Sequence, residues 1–282
     1  MSATSSLQFR KLGVIGYYFG VFVFAVVSVV PILWAFSTSI KPLNEVRVWP
    51  PYWIPKEPYW RTYREVFETR PFLSYMRNSL IVASATTAIC VLLGGLGGYS
   101  LSRARFRAKW ALAITILGMR LFPPIALVTP WFQLASRFGI LDQYVTLIAA
   151  YVYMNLPFVI WIMMGFFDEV PQEIDEAGMV DGCTKWQLLR RVIAPLAGPG
   201  LATASIFAFL LSWNEYVLAA VLSFSERCKT LPVGVMEFIG DEFVAWNQLC
   251  AGALIASIPA FIFVLAFQKY IVRGLMAGAV KG

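Results

Sequence analysis

Charge is spaced along this chain in long intervals. No charged residue occurs between Lys11 and Lys41, between Arg77 and Arg103, between Asp142 and Asp168, or between Glu242 and Lys269. Each interval is apolar and exceeds the roughly 20 residues that a helix needs to cross about 30 Å of hydrocarbon. Two further apolar stretches carry one charge each, at Arg120 and at Glu215. The pattern predicts six transmembrane helices, over about 12–36, 79–102, 110–132, 143–167, 201–224 and 247–268. The fold class expected is all-α and polytopic. The uncharged run from Leu12 to Ile40 is too long for the 7–15-residue core of a signal peptide, so the first span is expected to be retained.

Composition agrees, with 59% hydrophobic and 14% charged residues in 282. The short loop Arg103–Lys109 holds four basic residues and no acidic one, which places it in the cytosol by the positive-inside rule. Six spans then put both termini in the cytosol: a segment over 1–11, a tail over 269–282, and between them a permease domain over 12–268. The loops 41–77 and 225–242 fall outside, although the first holds seven basic residues against four acidic. Its prolines, with Trp49, Tyr52, Trp53, Tyr59 and Trp60, suit a folded platform at the interfacial level. The net charge of +7 belongs with anionic lipid headgroups and gives no reason to invoke nucleic acid.

Catalysis has no visible constellation. Histidine is absent, the four cysteines form no CxxC pair, and no phosphate-cradling G-x-x-x-x-G-K-[ST] occurs. No metal site or bound cofactor is expected on this chain, and any nucleotide hydrolysis must come from another subunit.

The loop 168–200 is the densest in polar information. Pro171 followed by Glu173, Asp175 and Glu176 starts a short helix with negative charge at its positive end. Ile174, Ala177, Gly178 and Asp181 share one face, small enough for another protein's backbone to approach. Asp181-Gly182 offers a stop, Thr184 with Gln187 a capping box for a second helix, and Pro195 an end at the membrane boundary. A membrane-resting helix prefers large apolar residues and a basic face, so this acidic, small-faced helix reads better as a docking element.

Glu176, Ala177, Gly182 and Pro195 stand in the register of the cytoplasmic loop of binding-protein-dependent ABC importer permeases, which this segment resembles. The pattern departs at Gly178, Val192 and Ala194, all small or aliphatic. The end of the chain from Gly274 to Gly282, and Ser212–Tyr216, are similar to the smaller permease of the maltose-type carbohydrate family. The resemblance implies a type I ABC importer permease fold with a cytosolic coupling helix. Its expected partners are a second permease in a heterodimer, two ATPase subunits carrying ATP and Mg, and an external sugar-binding protein. It implies ATPase coupling through Glu173, Glu176, Ala177, Gly178, Asp181, Gly182 and Pro195, and an ATPase-contacting tail with Gly274, Ala277, Gly278 and Lys281. The expected location is a bacterial or archaeal inner membrane.

Charges within spans are costly, so Arg120 and Glu215 are candidates for the translocation path and for a mutual pair. Trp213 and Asn214 flank Glu215, while Tyr151 and Asn155 offer an aromatic face and an amide to a sugar. The glycines Gly94, Gly95, Gly97 and Gly98 include a G-x-x-x-G and suit close helix packing. The function expected is half of the path of an ATP-driven importer for a di- or oligosaccharide. A polyol or glycerol-phosphate substrate stands beside it, as do an ion-driven carrier using Arg120 and Glu215 and a scaffold with no path. No inverted repeat supports the carrier.

Overall fold

A computed structural model describes the backbone of residues 3–240 and 242–279, and side chains at 14, 16–240 and 242–269. The chain divides into two compact units: one up to Thr69 together with Phe238–Ile255, the other Arg70–Glu237 with the chain from Ala256 onward. The tail positions Gly274, Ala277, Gly278 and Lys281 lie outside the described side chains.

In the first unit, α1 (Ala3–Ser39) is followed by the single turn α2 (Leu43–Val46) and by α3 (Arg61–Thr69). The apolar side chains of α1 between Tyr17 and Leu33 are largely exposed, as hydrocarbon-solvated groups are. Beyond Ser39 the proline-rich segment folds back on the helix end. Trp34 meets Trp53 edge-on at 4.8 Å, and Lys41 donates from Nζ to the Tyr52 carbonyl while lying 4.5 Å from the Trp34 ring centroid. Burial lowers the Lys41 ammonium pKa from its usual value. Trp49, in contrast, is 88% exposed.

The second unit is built on α4 (Phe72–Arg103) and α7 (Tyr144–Glu169). Their close approach is set by glycine. A Cβ placed on Gly98 would lie 2.7 Å from Met163 Cβ, and one on Gly94 3.1 Å from Val159 Cβ. The G-x-x-x-G therefore packs within the subunit, while Gly95 has open space. Between these helices in sequence, α5 (Lys109–Gly118) continues as a 3-10 turn over Met119–Leu121 and breaks before α6 (Pro124–Arg137). Pro123 and Pro124 supply no N–H to continue the ladder, and the two parts are bent by 86°.

After α7 come the short helices α8 (Gln172–Val180) and α9 (Lys185–Leu188), a π turn over Leu189–Ile193, and α10 (Ala194–Leu196). Pro195 lies inside this run, whereas the sequence had it end the helix. The wider π turn sits just before Pro195, where the ladder loses a donor. The turn at Ala197 then bends the chain by 80° into α11 (Gly198–Trp213). Next follow α12 (Val217–Leu222), α13 (Leu231–Met236) and α14 (Trp246–Ala279). The stretch 201–224 is thus interrupted at Asn214–Tyr216. Among the described residues four helices are long and apolar enough to cross a membrane, and the two bent pairs bring this to six if each is one span.

Two larger clusters, beside a small one of Leu101, Ala113 and Met164, form the core of this unit among the described residues. One joins Val82, Leu147, Ala150 and Tyr151 to Leu218, Leu222 and Cys228, and the other joins Cys90, Val159, Met163 and Phe167 to Leu188, Ile193 and Ala204. Burial first, then Asp142, pushes the Cys228 thiol up to about 12. A maleimide at pH 8 is therefore expected to leave Cys228 unmodified in the folded chain and to label it after denaturation, as read by peptide mass spectrometry. Equal labelling in both states would contradict that burial.

Candidate functional site

The segment α8–α9 is built by local rules. Gly182 takes φ +81°, which an L side chain rarely adopts. Its N–H donates to Met179 O at 3.1 Å and that of Cys183 to Gly178 O at 3.0 Å, the paired bonds of a Schellman stop. Thr184 then opens α9 with a complete capping box to Gln187.

The faces of α8 divide sharply. Glu173, Glu176, Ala177 and Asp181 are exposed, with Met179 and Val180 beside them, Val180 at 87%. Gly178 is not free for another protein's backbone, because a Cβ there would meet Leu188 Cδ1 at 2.6 Å. Its smallness is spent on packing α8 against α9. Pro195 is exposed on α10.

Asp175, which the sequence offered only as a helix-dipole charge, is the inward anchor. Its Oδ2 accepts from Arg103 Nε at 3.0 Å and lies 2.8 Å from Nη2, and its Oδ1 accepts from Tyr99 at 2.5 Å. Arg103 also donates from Nη1 to Phe167 O at 2.9 Å and from Nη2 to Val170 O at 3.1 Å. Beside it, Lys109 Nζ donates to Ser102 O at 2.8 Å, and Ser102 donates to Asp168 at 2.7 Å. Among the described residues Glu176 pairs with the exposed Arg105, at 3.6 Å. Exposed pairs of that kind contribute little, roughly 0–1 kcal/mol.

The opposite half of the unit holds a cavity of about 170 Å³ lined by Arg120, Phe122, Pro124, Tyr151, Met154, Asn155, Leu211 and Glu215. Four sequence candidates, Arg120, Tyr151, Asn155 and Glu215, thus meet on one void. Arg120 and Glu215 form no ion pair. The Arg120 guanidinium stacks 4.6 Å over Phe158, and its Nη1 is buried without a hydrogen bond. Glu215 accepts instead from the Leu218 N–H at 2.9 Å and the Ala219 N–H at 3.1 Å, capping α12. The Tyr151 hydroxyl lies near Glu215 and Thr230 but bonds to neither. Asn155 donates to Ser212 at 3.0 Å, tying α7 to α11.

Trp213 and Asn214 do not line this void. Trp213 is buried, donating from Nε1 to Ala256 O at 3.2 Å and stacking on Phe209, and Asn214 turns back to Leu210 O at 2.8 Å. Among the described residues no group of three or more Cys, Asp or Glu is placed to hold a metal ion.

At the N-terminal end of α4 a second polar knot closes the fold. Tyr75 donates to Glu226 and to Glu237, and Asn78 bonds Lys229 O at 2.8 Å while accepting from Tyr144 at 2.7 Å. Lys229 donates to Glu237 at 2.5 Å, which holds its ammonium pKa above the usual value.

An all-helical unit with apolar membrane-length helices, a polar void between them and a small protruding helical hairpin defines a membrane transport subunit. The family model for the binding-protein-dependent transport system inner membrane component matches residues 90–277. The chain belongs to that family, the multi-pass permeases of ABC importers. It is 38% identical over 257 residues to the trehalose transport system permease protein SugB of Mycobacterium tuberculosis, covering 90% of this chain and 93% of that one. It is 36% identical over 215 residues to the trehalose/maltose transport system permease protein MalG of Thermococcus litoralis, covering 76% and 77%. Its fold is similar to that of a chain in the crystal structure of a bacterial ABC transporter that imports alginate, with TM-score 0.76, 23% identity, and 96% and 98% of the two chains covered.

Proposed function

We propose that the chain is the permease subunit of an ATP-driven sugar importer, forming half of its translocation path and working with a second, different permease. The observation that carries this reading is the division of α8. Asp175 is held inward by Arg103 and Tyr99, while Glu173, Glu176, Ala177 and Val180 face outward, and among the described residues Glu176 is paired with the exposed Arg105. An element that is fixed on one side and acidic and unoccupied on the other suits a cleft of a separate ATPase subunit carrying ATP and Mg. Gly182 ends the helix with a paired-bond stop. The basic loop Arg103–Lys109 beside α8 supports a cytosolic placement of this end and of both termini. The tail from Gly274 would then reach the ATPase pair, with a sugar-binding protein engaging the opposite face.

The names of SugB and MalG support a di- or oligosaccharide as cargo. The void suits a polyhydroxylated solute, since Arg120 can donate to a hydroxyl oxygen and Tyr151 can donate or accept. A sulfoquinovosyl glycerol permease of Agrobacterium fabrum, 32% identical over 252 residues, favours keeping a glycerol-linked solute as the second reading.

Native mass spectrometry of the tagged chain, purified from its own host in mild detergent, is expected to recover a second permease and two ATPase copies. Glu176→Lys is expected to reduce the recovered ATPase by at least about tenfold, a change that ~1.4 kcal/mol suffices to produce, while membrane insertion is unchanged. Recovery of the chain alone, transporting in liposomes, would overturn the importer reading in favour of an ion-driven carrier.

A further inference from the structure

Arg103 belongs to no candidate list derived from the sequence, yet it holds three helices together. It ends α4, it occupies the carbonyls of Phe167 and Val170 where α7 stops, and it is forked onto Asp175 in α8. Every Arg103 nitrogen is engaged, because Nη1 also bonds Ser102 Oγ at 3.2 Å. Asp175 has both oxygens occupied, and both side chains are largely buried, at 15% and 10% exposure. Among the described residues no other ion pair between buried side chains reaches α8, although Ile174 packs against the cluster of Phe167 and Leu188. Its first turn hangs from Pro171 and its last from the Gly182 stop, and its contact with α9 is the apolar meeting of Gly178 and Leu188.

The two helices that Arg103 joins to α8 are themselves packed closely through the glycine contacts at Gly94 and Gly98. Along α7, Asn155 and Phe167 are about 18 Å apart at the helical rise of 1.5 Å per residue. A displacement applied to α8 therefore has a continuous helical route, passing Pro157, to Tyr151, Met154 and Asn155 on the void.

We propose that Arg103 is a positioning residue: its fork onto Asp175 makes α8, α4 and α7 one rigid body, so that movement of α8 is delivered to the void. This rests on the reading of α8 as the ATPase docking element. Without the fork, α8 follows the ATPase while α7 stays behind. Nucleotide is then hydrolysed with no change at the void. Lysine at position 103 is a partial replacement, because an ammonium supplies charge but not the planar set of donors.

The test uses the assembled importer and needs no knowledge of the solute. Met154→Cys, on the void, is labelled with a membrane-impermeant maleimide with and without ATP and vanadate, and vanadate-trapped ADP is measured in parallel. In the otherwise native chain the labelling rate is expected to change by about tenfold on trapping. With Arg103→Gln or Asp175→Asn added, the ratio is expected to fall to near unity while trapped ADP is retained, and Arg103→Lys is expected to lie between. A retained change in the Gln and Asn variants overturns the proposal, as does failure of both to assemble, which would assign Arg103 to folding alone. The Glu176→Lys arm separates the two readings. If it leaves the ATPase bound while Arg103→Gln abolishes the change, the docking reading fails and the rigid body stands. If it releases the ATPase while Arg103→Gln keeps the change, only the rigid body fails.

Discussion

Gly98→Leu is expected to prevent the chain from accumulating as a folded subunit. A Cβ at this position would stand 2.7 Å from Met163 Cβ and 2.8 Å from the Met164 backbone nitrogen, so the obstacle includes main chain that no rotamer change can move. α4 and α7 would have to separate along their whole contact, which carries the cluster of Cys90, Val159, Met163 and Phe167. Overpacking of this kind costs roughly 1–3 kcal/mol for modest additions, and a leucine against backbone is expected at or above the top of that range. Separation would also pull Phe167 O away from Arg103, compounding the loss. Gly95→Leu is the control, since Gly95 lies three residues away on the same helix with nothing within 4 Å. Fluorescence-detected size exclusion after detergent extraction should show a monodisperse peak for Gly95→Leu and aggregate or loss for Gly98→Leu. Similar profiles for the two would mean that α4 and α7 do not pack through Gly98.

The contrast between these two glycines shows where the sequence stops being readable. The glycine-rich run announces a close approach, but which of its members faces a partner depends on the rotation of α4 against α7. Two local devices were legible in full, whereas the helix end expected at Pro195 was not found there. The Gly182 stop and the Thr184–Gln187 box use residues within five positions of each other, so sequence spacing is spatial spacing. The all-helical, membrane-crossing class was legible too, because charge is excluded from hydrocarbon at several kcal/mol and leaves gaps in the sequence.

Pairings across the fold were not legible. Arg103 and Asp175 are 72 residues apart, and in sequence Arg103 is one more basic residue of a positive-inside loop. Tyr99 and Arg103 at i and i+4 gave the one available signal, a polar pair on one face at the end of an apolar helix. The bends were half visible. Hydropathy runs on through Pro123 and Pro124, so composition predicts one stretch where backbone chemistry makes two, whereas the second bend falls at Ala197, inside the loop expected over 168–200.

Glu215→Ala is expected to be far more damaging than Glu215→Gln, and the order of the two distinguishes what the carboxylate does. An acidic residue in an apolar stretch reads from sequence as a gate or a partner for Arg120, but no ion pair forms. Both oxygens are turned onto the first free N–H groups of α12, at Leu218 and Ala219. The chain breaks at Asn214–Tyr216 without proline or glycine, and the carboxylate takes up two first-turn donors of the restarted helix. Alanine leaves both donors bare, with an expected cost of about 2–4 kcal/mol from losing a cap made of two charge-assisted bonds. The loss falls on Leu218, Ala219 and Leu222, which pack on Tyr151 and Ala150 beside the void. Glutamine keeps one carbonyl oxygen as acceptor and so retains about half of the cap, while removing the charge opposite Arg120. Thermal unfolding in detergent should therefore rank native above Gln above Ala. If Gln proves as stable as the native chain yet its assembled importer no longer responds to ATP at Met154→Cys, the charge itself serves the void. If both variants match the native chain in stability, α12 does not depend on this cap.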